Sequence, residues 1–187
     1  MKKFIALALL MFIIATGAFA MDRAIGFGAL GGLTFQSGKG YLDGSLARYS
    51  GCIFGFFGPN QYTEINLSLL YKDTNEDVYT WGGSETLFPS TWALQLGVYG
   101  KYPFVLSDSL VFFPTAGVDF EWSFDMDYWW SDLWIRAGIG MDIFISQTMF
   151  MRNHIIYGAA IPITTYDDLD IKVGHGLLVK LGLGWMF

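Results

Sequence analysis

Cysteine is almost missing from this chain. Cys52 stands alone among 187 residues, which excludes an intrachain disulfide framework and leaves a small buried or wall-facing residue as its expected role. Charge is scarce too: Asp, Glu, Lys and Arg make up 15% of the residues, against about 25% in average proteins. The balance of that little charge is acidic, at −6, so no basic surface is on offer to a nucleic acid. Long apolar runs are absent after residue 20, where the oily stretches are cut by Arg136, Asp142, Arg152 and His154. A spanning helix needs about 20 consecutive apolar residues, so a helical anchor is excluded there. There is also no G-x-S-x-G, zinc cluster or phosphate loop, and the only two histidines are His154 and His175.

What the chain does have is apolar and aromatic surface. Hydrophobic residues reach 53%, aromatics 18%, and there are 23 glycines. The first twenty residues read as a cleavable signal peptide: Met1-Lys2-Lys3 is a positive n-region, Phe4 to Thr16 an apolar core, and Ala18-Phe19-Ala20 a cleavage site. Met21 follows the cut in place of the cysteine that a lipoprotein would carry. Residues 21–187 are then expected to form one domain. So much apolar surface without a helical anchor suits a closed sheet facing lipid, which satisfies its backbone hydrogen bonds within itself.

Period-2 alternation supports that reading. Thr63, Ile65, Leu67, Leu69 and Tyr71 share one face, while Tyr62, Glu64, Asn66, Ser68, Leu70 and Lys72 share the other. Trp92, Leu94, Leu96 and Val98 oppose Thr91, Gln95, Tyr99 and Lys101. Near the end, Val173, Leu177, Val179, Leu181, Leu183, Trp185 and Phe187 alternate with Lys172, Gly174, Gly176, Lys180, Gly182 and Gly184. Extending the pattern predicts eight strands near 24–35, 47–57, 62–72, 91–102, 110–122, 132–144, 148–161 and 171–187. Two of them are less regular. Residues 47–57 are apolar on both faces, and Asn153 shares the face of Met151, Ile155 and Tyr157, so a bulge or register shift is expected in each.

The connections alternate between short ones, at Pro59-Asn60, 103–109 and Ser146-Gln147, and longer polar ones at 36–46, 73–90, 123–131 and 162–170. Short periplasmic turns, long external loops and both termini on the periplasmic side follow for an even-stranded membrane barrel. Aromatics gather at the strand ends as two girdles. Trp81, Trp92, Trp122, Trp129, Trp130 and Trp134 are expected at the external rim, and Phe57, Tyr62, Tyr102, Phe104, Phe144, Trp185 and Phe187 at the periplasmic one.

At the terminus, Leu183, Trp185 and Phe187, preceded by Lys180 and Gly182, resemble the C-terminal signal by which bacterial outer-membrane barrels are recognised for assembly. With the signal peptide and strand count, residues 21–187 resemble the small eight-stranded group typified by the OmpA membrane domain, OmpX and OmpW. The resemblance implies an all-β, up-and-down antiparallel transmembrane barrel in a Gram-negative-type outer membrane. It further implies contact with outer-membrane lipid and lipopolysaccharide or an equivalent, engagement of the assembly machinery through the C-terminus, and no cofactor. A soluble lipocalin-type barrel is the rival fold, with its oily face turned inward.

The polar face of the strands supplies the candidate site, an inward set comprising Arg48, Glu64, Gln95, Lys101, Asp119, Glu121, Arg136, Asp142, Arg152, His154, Lys172 and Lys180. In a narrow lumen these charges either line a pore or pair into a plug. An eight-strand interior is just wide enough for side chains to fill, so the plug is expected. The external loops carry Asp73, Glu76, Asp77, Glu85, Asp125, Asp127, Asp132, Asp167, Asp168 and Asp170, but their spacing matches no calcium loop and no metal is expected. Tyr128-Trp129-Trp130 reads as girdle before contact surface. Catalysis of the lipid A-modifying kind needs a His with a Ser or carboxylate partner near the rim. Neither histidine is followed by a serine two residues on, so no catalytic residue is assigned. The expectation is a non-enzymatic surface barrel acting through its loops. The alternatives are a narrow OmpW-like channel, for which Phe54, Phe56, Phe144, Phe150 and Ile156 would supply an apolar lumen, and a lipid-modifying enzyme.

Overall fold

The computed structural model describes residues 23–39, 44–73, 78–80, 83–85, 90–124, 129–164, 170–171 and 174–187. Residues 1–22, and so the expected signal peptide, lie outside them. Eight long strands form the wall: β1 (Ala24–Lys39), β2 (Gly44–Asn60), β3 (Thr63–Asp73), β4 (Thr91–Lys101), β5 (Leu110–Phe124), β6 (Trp129–Phe144), β7 (Met149–Thr164) and β8 (Gly174–Met186). Each pairs antiparallel with its sequence neighbours, and β8 returns to β1 from Ala24↔Met186 to Phe35↔His175, which closes the sheet. Three short pieces are appended. Val78–Thr80 pairs with Gly83–Glu85 beyond β3, Phe104–Ser107 pairs with the start of β5, and Asp170–Ile171 pairs with the end of β1.

The register fixes the barrel's geometry. A walk from Lys101 crosses Thr115, Gly138, Ile156, Leu178, Gly32, Ser50 and Lys72 and returns to β4 at Thr91, ten residues away. Eight strands with a stagger of ten, at about 3.3 Å per residue and 4.8 Å between strands, tilt by about 40° and enclose a radius of about 8 Å. That bore admits one layer of side chains from each side and little else.

Turn chemistry sets the closed end. The Asn60 Oδ1 accepts a hydrogen bond from Tyr62 N at 2.8 Å, and the Ser146 Oγ accepts from Met149 N at 3.1 Å, the side-chain capping that favours Asn and Ser in turns. Pro103 interrupts the line of β4 where it offers no donor. The chain resumes at Phe104 against β5, bridged by Tyr102 N to Pro114 O at 3.1 Å. These turns share one end with Arg23 and Phe187, the turn end; the longer links occupy the other, the loop end.

The outer face is oily. Ile53, Leu67, Leu94, Leu96, Ile135, Ile139, Ile155 and Leu181 are exposed along the middle of the wall. Tyr49, Tyr71, Trp92, Trp122 and Phe124 are exposed towards the loop end, and Phe57, Tyr62, Tyr102, Phe104, Trp185 and Phe187 towards the turn end. An apolar band between two aromatic girdles is the surface a bilayer requires, and it rules out the oil-inside lipocalin arrangement. Two residues expected in the girdles are elsewhere. Trp134 is buried in the lumen beneath the Arg136 guanidinium, 4.1 Å from its ring, and Phe144 turns inward onto Phe150, 5.6 Å between centroids. Both share strand parity with Arg136 and Asp142, which decides their direction over any preference of aromatics for a rim. Trp81 lies outside the described residues.

The irregularities expected within 47–57 and around Asn153 do not occur there. Pairing of β1 with β2 runs unbroken from Gly58 to Gly44, with Ile53 and Phe57 outward and Phe54 and Phe56 inward. Asn153 keeps register between Met141 and Leu181 and is half-buried in the outer face. Shifts occur instead at Phe57/Asn60, Val105/Ser107 and Pro162/Thr164, beside turns and a proline.

Candidate functional site

The lumen gathers the chain's charge. Of eleven Lys and Arg residues, six line it: Arg48, Lys72, Lys101, Arg136, Arg152 and Lys180. Glu64, Asp119, Glu121, Asp132 and Asp142 face them. Alternation alone delivers this result, because each sits an even number of residues from its inward neighbours on the same strand. Gln95 and His154 are buried among them, whereas Lys172 lies outside the described residues. Asp132, expected beside the third loop, is buried inside. Lys72, which the alternation put on the polar face of its strand, is buried as well.

The inward residues form two unlike layers. At the turn end, Arg152 is clamped on both sides. Its Nε and Nη2 donate to the Asp142 carboxylate at 2.6 and 2.5 Å, and its Nη1 donates to Glu64 Oε2 at 2.5 Å. Its guanidinium carbon also lies 4.5, 4.8 and 5.5 Å from the ring centroids of Phe56, Phe150 and Phe113. Glu64 Oε1 accepts from Asn66 Nδ2 at 2.9 Å, and Lys101 Nζ stands 3.7 Å from Glu64 Oε2. A charge so enclosed is tolerable only because every donor has a partner and the rings present their negative faces.

Glycine makes room for those rings. A Cβ on Gly184 would collide with the rings of Phe150 and Phe56, and one on Gly140 with Phe113 and His154. Large side chains thus lie over the bare backbone of neighbouring strands. The buried apolar cluster of Leu30, Phe54, Phe56, Leu70, Phe150 and Leu178 belongs to the same packing.

From the middle towards the loop end the arrangement changes. Asp119 Oδ2 accepts from Tyr99 OH at 2.5 Å and pairs with Arg136 Nε at 2.6 Å, and Lys72 bonds Glu121. Arg48 Nη2 donates to Thr91 Oγ1 at 2.9 Å. Several buried atoms have no hydrogen-bond partner among the described residues, including Lys180 Nζ, Asn66 Oδ1, Ser68 Oγ, Gln95 Oε1, Asp119 Oδ1, Ser123 Oγ and Trp134 Nε1. Buried polar atoms in this number call for water. Sequence reasoning did not single out Tyr99, although its parity with Gln95 and Lys101 was the available signal.

The histidines occupy different settings. His154 is buried 3.8 Å from Glu64 Oε1 and edge-on to Phe113, with a centroid separation of 5.1 Å. His175 is exposed on the outer wall, where Tyr157 OH meets its Nδ1 at 3.0 Å and Phe35 stacks on it at 5.3 Å. Among the described residues no cluster of His, Cys, Asp and Glu has metal-binding geometry.

No family model and no curated protein matches this sequence. Among solved structures the chain is similar to Neisserial surface protein A, with a TM-score of 0.58 at 10% identity over 88% of this chain and 97% of that one. Two others align at lower scores. Ail, the attachment invasion locus protein of Yersinia pestis, gives 0.45 at 13% identity, covering 90% and 100% of the two chains. The outer membrane protein OprG from Pseudomonas aeruginosa gives 0.45 at 14%, covering 90% and 96%. At such identity the likeness concerns architecture, and the chain has the fold of the small eight-stranded outer-membrane β-barrels.

Proposed function

We propose that this chain is a non-enzymatic outer-membrane protein whose barrel is a sealed anchor for surface contacts made by its longer loops. The observation that carries the reading is the filled turn-end layer, where Arg152 is held by Asp142 and Glu64 within a cage of Phe56, Phe113 and Phe150. Lipid and lipopolysaccharide, or an equivalent, are the partners of the oily wall. The assembly machinery is the partner of Leu183, Trp185 and Phe187, whose side chains all lie on the outer face. The turn end faces the periplasm and the loop end faces outward. His175 meets Tyr157 and Phe35, which supports a structural role for it, and His154 packs edge-on to Phe113 with neither ring nitrogen hydrogen-bonded among the described residues.

Planar-bilayer conductance of refolded residues 21–187 tests the sealed anchor. Silence from a folded, inserted barrel is expected. Reproducible single-channel steps would overturn it in favour of a narrow channel, for which Phe54, Phe56, Phe150 and Ile156 provide an apolar lining. Deleting Phe187 tests the assembly role: the variant should be exported yet depleted from the outer membrane, and undiminished outer-membrane levels would contradict it.

A further inference from the structure

Between the short turns lies a cavity of about 180 Å³ at the turn end of the lumen. Phe113, Phe144, Phe150 and Met186 give it apolar walls, and Lys101, Asp142 and Arg152 also line it. Size alone admits a small ring, since an apolar protein cavity of about 150 Å³ takes up benzene. The charged groups decide what else the ring must carry.

Arg152 already commits three of its five N–H donors, one on each nitrogen, to Asp142 and Glu64. Lys101 differs. Its Nζ forms one long ion pair, 3.7 Å from Glu64 Oε2, and lies 5.1 Å from the centroid of the Phe113 ring. Yet its side chain is only 6% exposed. A nearly buried ammonium has three donors, and with a single long ion pair it lines the cavity with donors to spare.

The net charge of the layer then discriminates between ligands. Two carboxylates, Glu64 and Asp142, are balanced by two cations, Arg152 and Lys101. A bound anion would leave an uncompensated negative charge in a confined site, and a bound cation would meet Lys101 and Arg152. A neutral acceptor avoids both penalties and still receives a charge-assisted hydrogen bond. We infer that the turn-end cavity binds an uncharged, single-ring aromatic molecule, its ring among Phe113, Phe144 and Phe150 and its one acceptor hydrogen-bonded to Lys101 Nζ.

The test uses residues 21–187 refolded into lipid nanodiscs, with benzamide as probe and NMR shifts of the protein as readout. Saturable shifts are expected with an affinity on the order of millimolar, as suits so small a ligand. Benzoate and benzylammonium should bind at least about tenfold more weakly, and Lys101→Met should weaken benzamide by about tenfold. Unsaturable shifts, equal binding by Lys101→Met, or benzoate as the tightest ligand would each overturn the inference. If Lys101→Met does not fold, Phe144→Trp replaces it, filling the cavity without altering a charge. Binding should then disappear, and its persistence would place the site elsewhere. The channel measurement is independent of this outcome, since a cavity at one mouth neither opens nor seals the bore.

Discussion

The two halves of the lumen use the same residue types to different ends. Near the turns, Arg152 has a carboxylate on either side and three aromatic rings around it. From the middle towards the loops, Lys180, Gln95, Ser68 and Ser123 bring buried polar atoms that no described residue satisfies. The difference comes from what fills the remaining volume. Phenylalanine packed against glycine takes up most of the first half, whereas short polar side chains leave room for water in the second. The same composition therefore yields a dry plug at one end and a hydrated polar chamber behind it. On the proposed function, sealing is a property of the first half.

Breaking the plug should have the largest effect. Arg152→Ala strands Glu64 and Asp142 without their shared cation and should cost about 3–5 kcal/mol, read from the denaturant midpoint of the refolded barrel. Adding Glu64→Gln and Asp142→Asn should recover most of that loss. The corresponding change in the loop-end half, Lys72→Met, leaves Glu121 with Gln95 Nε2 at 3.3 Å and water within reach. Its cost should be the smaller, about 1–3 kcal/mol. Equal costs would erase the distinction between the halves.

A substitution on the outer wall separates lumen from lipid. Leu181 is exposed at mid-height on β8, and Leu181→Arg should destabilise the inserted barrel by about 2–4 kcal/mol while leaving lumen contacts untouched. A neutral result in lipid would argue against a membrane-facing wall. Glycines give the finest comparison. Gly184→Val drives a side chain into Phe150 and Phe56 and should cost at least about 1–3 kcal/mol. Gly51→Ala meets nothing within 4 Å and should be neutral or stabilising by up to about 1 kcal/mol, measured by the same unfolding assay.

Much of this architecture was legible in the sequence because the pleat has a strict period of two. Lys180 between oily neighbours at 179 and 181 has only one way to face in a lipid-exposed strand, and eight such strands with short and long links alternating leave one simple closure. Parity failed where a composition rule was allowed to override it. Trp134 and Phe144 have the composition of girdle residues, but Arg136 and Asp142 on the same strand fix them inward. Asp132 was assigned to loop chemistry although it lies four residues from Arg136 and so on the same face. Bulges are expected where faces are ambiguous, yet Phe54 and Phe56 are accommodated by Gly26 on the adjacent strand and by Gly182 and Gly184 on the strand beyond it. That complementarity joins residues far apart in the chain, and only the stagger of the closed sheet brings them level. The pairing of Arg152 with both Asp142 and Glu64 was hidden for the same reason: Asp142 lies on the adjacent strand, Glu64 across the lumen.

The sealed turn-end layer is tested most directly by recording Arg152→Ala and the unmodified chain side by side in planar bilayers. The account predicts a silent parent and a variant with resolvable single-channel steps, since removing the guanidinium opens the one dry constriction. Steps in the parent that persist unchanged in Arg152→Ala would show that the layer does not close the bore.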